Sequence, residues 1–196
     1  MSFSNSIFKA YDVRGVYPTE LNEEAAEAVG RALAALVGTG RAVVGRDMRL
    51  SSEAIHSALI SGLRSGGLSV DDMDLVPIDA MYFAVGRLGY DVGIMVTASH
   101  NPPEYNGFKI MRKGTQWVRG TDLGELVHKL PKAAAAPGSF SELDIWPKFL
   151  EHLQSFVHIE VLKPLKVVVD AGNGMAGKVI PLLFKGLPFQ MSPLFF

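Results

Sequence analysis

Apolar positions along this chain switch repeatedly between a helical period and short unbroken runs. From Asn22 to Val37, Ala25, Val29, Ala32, Leu33 and Leu36 recur at helical spacing, with Glu23 and Glu24 in the first turn and Gly38 and Gly40 as stops. Ala42-Val43-Val44-Gly45 then reads as a buried strand. Ser51 or Ser52 caps a helix that carries Ile55, Leu59 and Leu63 and ends at Gly66-Gly67. Met73 to Ile78 reads as a strand, and Met81 to Leu88 as a helix closed by Gly89. Val92 to Val96 is a third apolar run. Tyr105-Asn106-Gly107 reads as a turn into a strand Phe108 to Met111, and Thr121 caps a helix Asp122 to Leu130. Strands alternating with helices imply an α/β fold: a mixed, mainly parallel sheet with helices on both faces.

The alternation breaks between Pro131 and Ser141, where Pro-Lys-Ala-Ala-Ala-Ala-Pro-Gly-Ser has linker composition. We therefore expect a first domain over 1–132, a linker over 133–145 and the start of a second α/β domain over 146–196. The second unit opens with a helix from Pro147 to Phe156 and a strand from Leu165 to Val169. It ends in a strand over 189–196, with Phe195 and Phe196 beside a sheet that looks unfinished, as in a fragment of a longer protein. Gly172, Gly174 and Gly177 fit the spacing G-x-G-x-x-G of dinucleotide-binding turns. The acidic residue that would hold a ribose some 20 positions later does not occur, and a tight strand-to-helix turn explains the glycines equally well.

Composition narrows the function classes. The 196 residues are 48% hydrophobic and 20% charged, with a formal net charge of −1, so nothing draws the chain toward nucleic acid or an anionic membrane. Cysteine is absent, which removes disulfides and thiolate metal sites. The first residues lack a basic segment followed by an apolar core, and no apolar run could span a bilayer, so a cytoplasmic protein is expected. Asp71, Asp72 and Asp74 read as a solvated turn rather than a metal site. His56, His128, His152 and His158 read as helix-surface or core histidines.

The chemistry concentrates where the run Val92–Val96 ends in Thr97-Ala98-Ser99-His100-Asn101-Pro102-Pro103. The prolines cannot continue a ladder, so Ser99 heads a loop at the carboxyl end of a strand, where α/β sheets bind ligands. The serine lacks the flanking glycines of a hydrolase nucleophile elbow, Thr97 and Asn101 standing there instead. His100 is adjacent, and in an extended segment adjacent side chains point to opposite faces, so it need not act as base for Ser99. Two readings stay open on residues alone: an ordinary turn, or a phosphorylated Ser99 with Lys109, His100 and loop amides as partners.

The longer string decides between them. Thr97 to Pro102, followed by Tyr105-Asn106-Gly107-Phe108-Lys109, resembles the phosphoserine loop of the α-D-phosphohexomutases, the family of phosphoglucomutase and phosphomannomutase. Phe8-Lys9-Ala10-Tyr11-Asp12-Val13-Arg14-Gly15, Val44-Gly45-Arg46-Asp47 with Arg49 and Ser51-Ser52, and Lys166 to Gly177 resemble further segments of the same family. One departure lies at Val76-Pro77-Ile78-Asp79-Ala80, where many members carry Thr-Pro after the first proline. The resemblance implies interconversion of hexose 1-phosphate and 6-phosphate through phosphoserine at Ser99 and a hexose bisphosphate intermediate. It implies Mg2+ on the Ser99 phosphate. Ser99, His100, Lys109 and Arg14 would be catalytic, and Tyr11, Arg14, Asn101 and Lys109 would bind substrate. Arg14 could instead pair with Asp12 or Asp47. The family's metal-binding Asp-Gly-Asp-x-Asp-Arg segment is absent from these 196 residues, so the chain alone is expected to be inactive and to self-associate through its second unit. A non-catalytic sugar-phosphate-binding module and, less favoured, a dinucleotide-binding protein through Gly172–Gly177 are the alternatives. The choice among mannose, glucose and glucosamine phosphate stays open.

Overall fold

The computed structural model describes residues 3–130, 134 and 136–196. These fall into two compact units that divide between Leu143 and Asp144. The strands of the first unit are β1 (Val13–Val16), β2 (Arg41–Arg46), β3 (Ser69–Leu75), β4 (Val92–Val96), β5 (Tyr105–Arg112), β6 (Gln116–Trp117) and β7 (Phe140–Glu142). Its helices are α1 (Glu23–Val37), α2 (Ser52–Ser65), α3 (Ile78–Arg87) and α4 (Gly120–Val127). The sheet order is β1-β5-β4-β2-β3-β7, with β6 paired to β5. The β2, β3, β4 and β7 block is parallel, and β5 runs antiparallel to both β1 and β4. The sheet is therefore mixed, as the sequence pattern implied.

α1 begins where Asn22 Oδ1 accepts the Ala25 amide at 3.0 Å, a side-chain cap for an otherwise orphaned donor. Its apolar stripe, Ala25, Val29, Ala32 and Leu33, is fully buried with Ile55, Leu59 and Leu63 of α2 in the main core. The two helices cross closely. A Cβ added at Gly30 would lie 2.5 Å from the Leu59 carbonyl oxygen, and one at Gly62 would lie 2.2 Å from that of Glu27. α3 covers the other face, since a Cβ at Gly93 of β4 would meet Val85 and Met81.

Several boundaries differ from the sequence reading. β3 starts at Ser69 rather than Met73 and ends at Leu75, because Asp71 and Asp72 are strand residues with partners and not a solvated turn. Asp71 accepts from Arg41, from the Tyr90 hydroxyl and from the Ser141 hydroxyl, while Arg41 stacks 4.8 Å from the Tyr90 ring centre. Burial opposes ionisation of Asp71, but the bonds from Ser141, Tyr90 and Arg41 outweigh it and hold the carboxyl below its ordinary range. Burial, reinforced by the bond to Asp71, pushes the Tyr90 phenol up. Asp72 Oδ1 lies 2.9 Å from Nε2 of the buried His56. Ser51 stands in the N-cap position of α2, as expected, but no side-chain hydrogen bond closes the first turn; Ser52, the first helical residue, donates instead to Asp47. α4 starts at Gly120 with Arg119 in the cap position, so Thr121 lies inside the helix.

Tyr105-Asn106-Gly107 is not a turn but the first part of β5. Gly107 is needed there for space, since an added Cβ would lie 2.2 Å from the Val13 carbonyl oxygen of β1. The span read as linker contains β7, which pairs with β3 through Val70↔Phe140 to Asp72↔Glu142. Pro131, Lys132, Ala133 and Ala135 of that span lie outside the described residues.

The second unit contains α5 (Trp146–Gln154), β8 (Leu165–Asp170), α6 (Ala176–Phe184) and β9 (Phe189–Leu194). β8 and β9 pair in parallel from Leu165↔Phe189 to Asp170↔Leu194, a β-α-β unit. Leu165, Val168, Leu194 and Phe195 are exposed. Gly177 lies within α6, where an added Cβ would sit 3.0 Å from Phe196 Cα, so close packing accounts for it.

Candidate active site

Every residue of β4 is buried, and Thr97 and Ala98 continue that burial past its carboxyl end. The chain then turns outward, and Ser99 and His100 are exposed. Ser99 has φ of +56°, the left-handed region that costs a non-glycine residue about 1–2 kcal/mol. That conformation persists because hydrogen bonds hold both sides of the residue. The Ser99 amide donates to Thr97 Oγ1 at 2.9 Å, and the Thr97 hydroxyl donates to Asp47 Oδ2 at 2.7 Å. The Ser99 carbonyl accepts from Arg49 Nη2 at 2.9 Å.

Arg49 does more than hold Ser99. Its Nη2 also donates to the Asn101 carbonyl at 2.6 Å, and its Nη1 to the Pro102 and Tyr105 carbonyls at 2.7 and 3.0 Å. Its Nε faces Asp47 Oδ2 at 3.4 Å. The Arg49 side chain is only 8% exposed, and Asp47 only 5%. Asp47 Oδ1 accepts from the Ser52 hydroxyl at 2.6 Å and from the Arg49 amide at 3.1 Å. Asn106, fully buried, donates to Ser51 Oγ and Ser52 Oγ, and its Oδ1 accepts the Gly107 amide. The start of α2, the end of β2 and the start of β5 thus converge under one loop.

Of the residues singled out from sequence, Ser99 and His100 come together. Ser99 Oγ and His100 Nδ1 are 3.4 Å apart, contrary to the expectation for an extended pair, because left-handed Ser99 breaks the alternation. Asn101 folds back into the loop, its amide nitrogens donating to the Ala98 carbonyl. Lys109 stands opposite Met95 and lines a cavity of about 280 Å³ with Tyr11, Asp12, Trp117 and Arg119. Tyr11 is 84% exposed at its mouth. Arg14 pairs with Asp12, the ordinary reading allowed for it, and stands opposite Gly107, whose carbonyl accepts the Thr97 amide. No group of three or more His, Asp or Glu side chains able to hold a metal occurs among the described residues.

Sequence reasoning offered Ser52 as a helix cap and Asp47 as a partner for Arg14, and gave none of Asp47, Arg49, Ser52, Thr97 or Asn106 a part in holding the Ser99 loop. The available signal was placement: Asp47 and Arg49 directly follow a buried strand, at the sheet end where α/β proteins carry their sites.

Residues 5–123 match the profile of the family described as phosphoglucomutase/phosphomannomutase, alpha/beta/alpha domain I. The chain belongs to that family. Among curated relatives, phosphohexose mutases of Xanthomonas campestris pv. campestris are 43% identical over 194 residues, covering 96% of this chain and 43% of the relative. A phosphomannomutase of Salmonella montevideo is 39% identical over 196 residues, again covering 96% of this chain and 43% of the relative. The crystal structure of a phosphoglucomutase/phosphomannomutase family protein from Burkholderia thailandensis superposes with a TM-score of 0.87 at 38% identity, covering 98% of this chain and 44% of that one. The chain thus spans less than half the length of the family relatives it matches.

Proposed function

We propose that this chain supplies the phosphoserine half of a hexose phosphate mutase. The observation that carries the reading is Ser99 itself, exposed at the end of a buried strand and fixed in a left-handed conformation from both its amide and its carbonyl. In this reading Ser99 carries a phosphoryl group. The group passes to a free hydroxyl of a hexose phosphate: the serine P–O bond breaks, a P–O bond to the sugar forms, and the hydroxyl proton ends on the serine oxygen. The hexose bisphosphate reorients and returns its other phosphoryl to Ser99 with the reverse proton movement. Such transfer relies on positioning and charge stabilisation. In this reading His100, whose Nδ1 is 3.4 Å from Ser99 Oγ, holds that proton. Lys109 and Tyr11, which share one cavity, are the substrate-facing groups, Lys109 meeting phosphate as a compact cation. Arg14 joins them only by leaving Asp12.

Magnesium belongs to the same reading only through the phosphate oxygens on Ser99. The nearby carboxylate, Asp47, is already committed to Thr97, Ser52 and Arg49, so the described residues do not by themselves make a magnesium site. The substrate class in this reading is the hexose phosphates, with mannose, glucose and glucosamine phosphate as the candidates. No described helix is long and apolar enough to cross a membrane, and a cytoplasmic setting is part of the proposal.

The test is a chimera in which residues 1–196 replace the matching part of a full-length phosphomannomutase. Ser99→Ala should reduce turnover of mannose 1-phosphate and glucose 1-phosphate to background, with circular dichroism unchanged, and should remove the phosphate seen by intact mass. Near-normal turnover in Ser99→Ala would refute the assignment.

A further inference from the structure

We infer that Arg49 is the positioning residue for Ser99, setting the loop's geometry through main-chain carbonyls rather than by touching substrate. The inference deepens the proposed function and rests on it for its catalytic meaning, but its structural content stands alone.

Arginine carries five N–H donors in a planar fork. Here four bonds run from the two terminal nitrogens to the carbonyls of Ser99, Asn101, Pro102 and Tyr105, and Nε faces Asp47. Those carbonyls span the whole turn from the serine to the first residue of β5. With its terminal nitrogens so engaged, the guanidinium is not free to bind a substrate phosphate. Its work is internal: it ties together the carbonyls of a turn whose prolines cannot donate. Asp47 completes the device. It bonds the Arg49 amide, faces the Arg49 Nε, and orients the Thr97 hydroxyl that accepts the Ser99 amide. Arg49 and Asp47 thus hold opposite sides of one peptide segment, and the Ser99 hydroxyl direction follows from both.

Lysine preserves the charge but not the fork, since a single ammonium cannot span four carbonyls. Arg49→Lys therefore separates geometry from charge. In the 196-residue chain, amide exchange at Ser99, Asn101 and Tyr105 should accelerate by about ten-fold or more, while Val44 and Ile94 in the sheet stay within about two-fold. The Ser99 Cα and Cβ chemical shifts should leave their left-handed values. Unchanged loop exchange and shifts would overturn the inference. Uniform acceleration across the first unit would overturn it too, because Arg49 would then be a general structural residue. Should Arg49→Lys prevent folding, the same readouts apply to Arg49→Gln, whose single amide group likewise cannot span four carbonyls. In the chimera, Arg49→Lys should lower kcat by about ten-fold or more with KM within about three-fold; a change confined to KM would overturn the positioning role. Ser99→Ala with intact turnover would instead sink the mutase reading and leave the exchange result standing.

Discussion

Asp47→Ala should be among the most damaging single changes in the first unit. The Asp47 side chain is 7% exposed and accepts from the Thr97 and Ser52 hydroxyls and the Arg49 amide, with the Arg49 Nε alongside. Hydrogen bonds to a charged acceptor contribute about 1.5–3 kcal/mol each, so three would give a simple sum of about 5–9 kcal/mol. They share one acceptor and are not independent, so the sum overshoots. Removing one partner of a buried ion pair costs about 3–5 kcal/mol, and we take about 4 kcal/mol as the expected loss. The chain contains two tryptophans, Trp117 in the first unit and Trp146 in the second. A Trp146→Phe background therefore leaves a fluorescence reporter confined to the first unit. With a urea slope of about 2 kcal/mol per molar, the midpoint should fall by about 2 M. A fall of less than about 0.5 M, with an unchanged slope, would refute the claim that Asp47 organises this region.

Asp71→Asn should cost about 2 kcal/mol at pH 7 by weakening bonds to Arg41, Tyr90 and Ser141. Because the folded carboxyl titrates below its ordinary range, its contribution is present above about pH 4 and is lost as pH falls through the lowered value; urea midpoints of wild type and variant should converge on acidification. Gly107→Ala should lose about 3 kcal/mol or fail to fold, since its Cβ would sit 2.2 Å from the Val13 carbonyl oxygen; a thermal midpoint within about 2 °C of wild type would contradict this packing. In a coupled assay with magnesium, glucose 1-phosphate or mannose 1-phosphate and a bisphosphate activator, the 196-residue chain should read no higher than its Ser99→Ala variant.

The elements that sequence reveals best are those whose signal is local. α1 carries its stripe, its cap and its acidic first turn within sixteen residues, and β4 is an unbroken apolar run. β3 was placed late because Asp71 and Asp72 read as solvent-seeking, whereas their partners Arg41, Tyr90 and His56 lie on other elements. β7 was hidden in linker composition because a three-residue edge strand takes its order from the neighbour it pairs with. At the site, Ser99 stood out through its loop string. Arg49 did not, because its role is to bond carbonyls, and main-chain oxygens leave no mark in side-chain identity.

The insertion of β5 between β1 and β4 has a consequence for synthesis on the ribosome. Val13 is made early, yet its ladder partner is Phe108. At typical elongation rates β1 must wait roughly 5–20 s before its neighbour exists. Meanwhile β2, β3 and β4, with α2 and α3 between them, can assemble from nearby segments, since their pairings span shorter stretches of chain. The amino-terminal strand bearing Arg14, and with it the Tyr11 side of the cavity, is therefore recruited only after that parallel core can form. A nascent chain stalled before residue 105 would hold the parallel strands beside an unclaimed edge of β4, open to pairing with other chains.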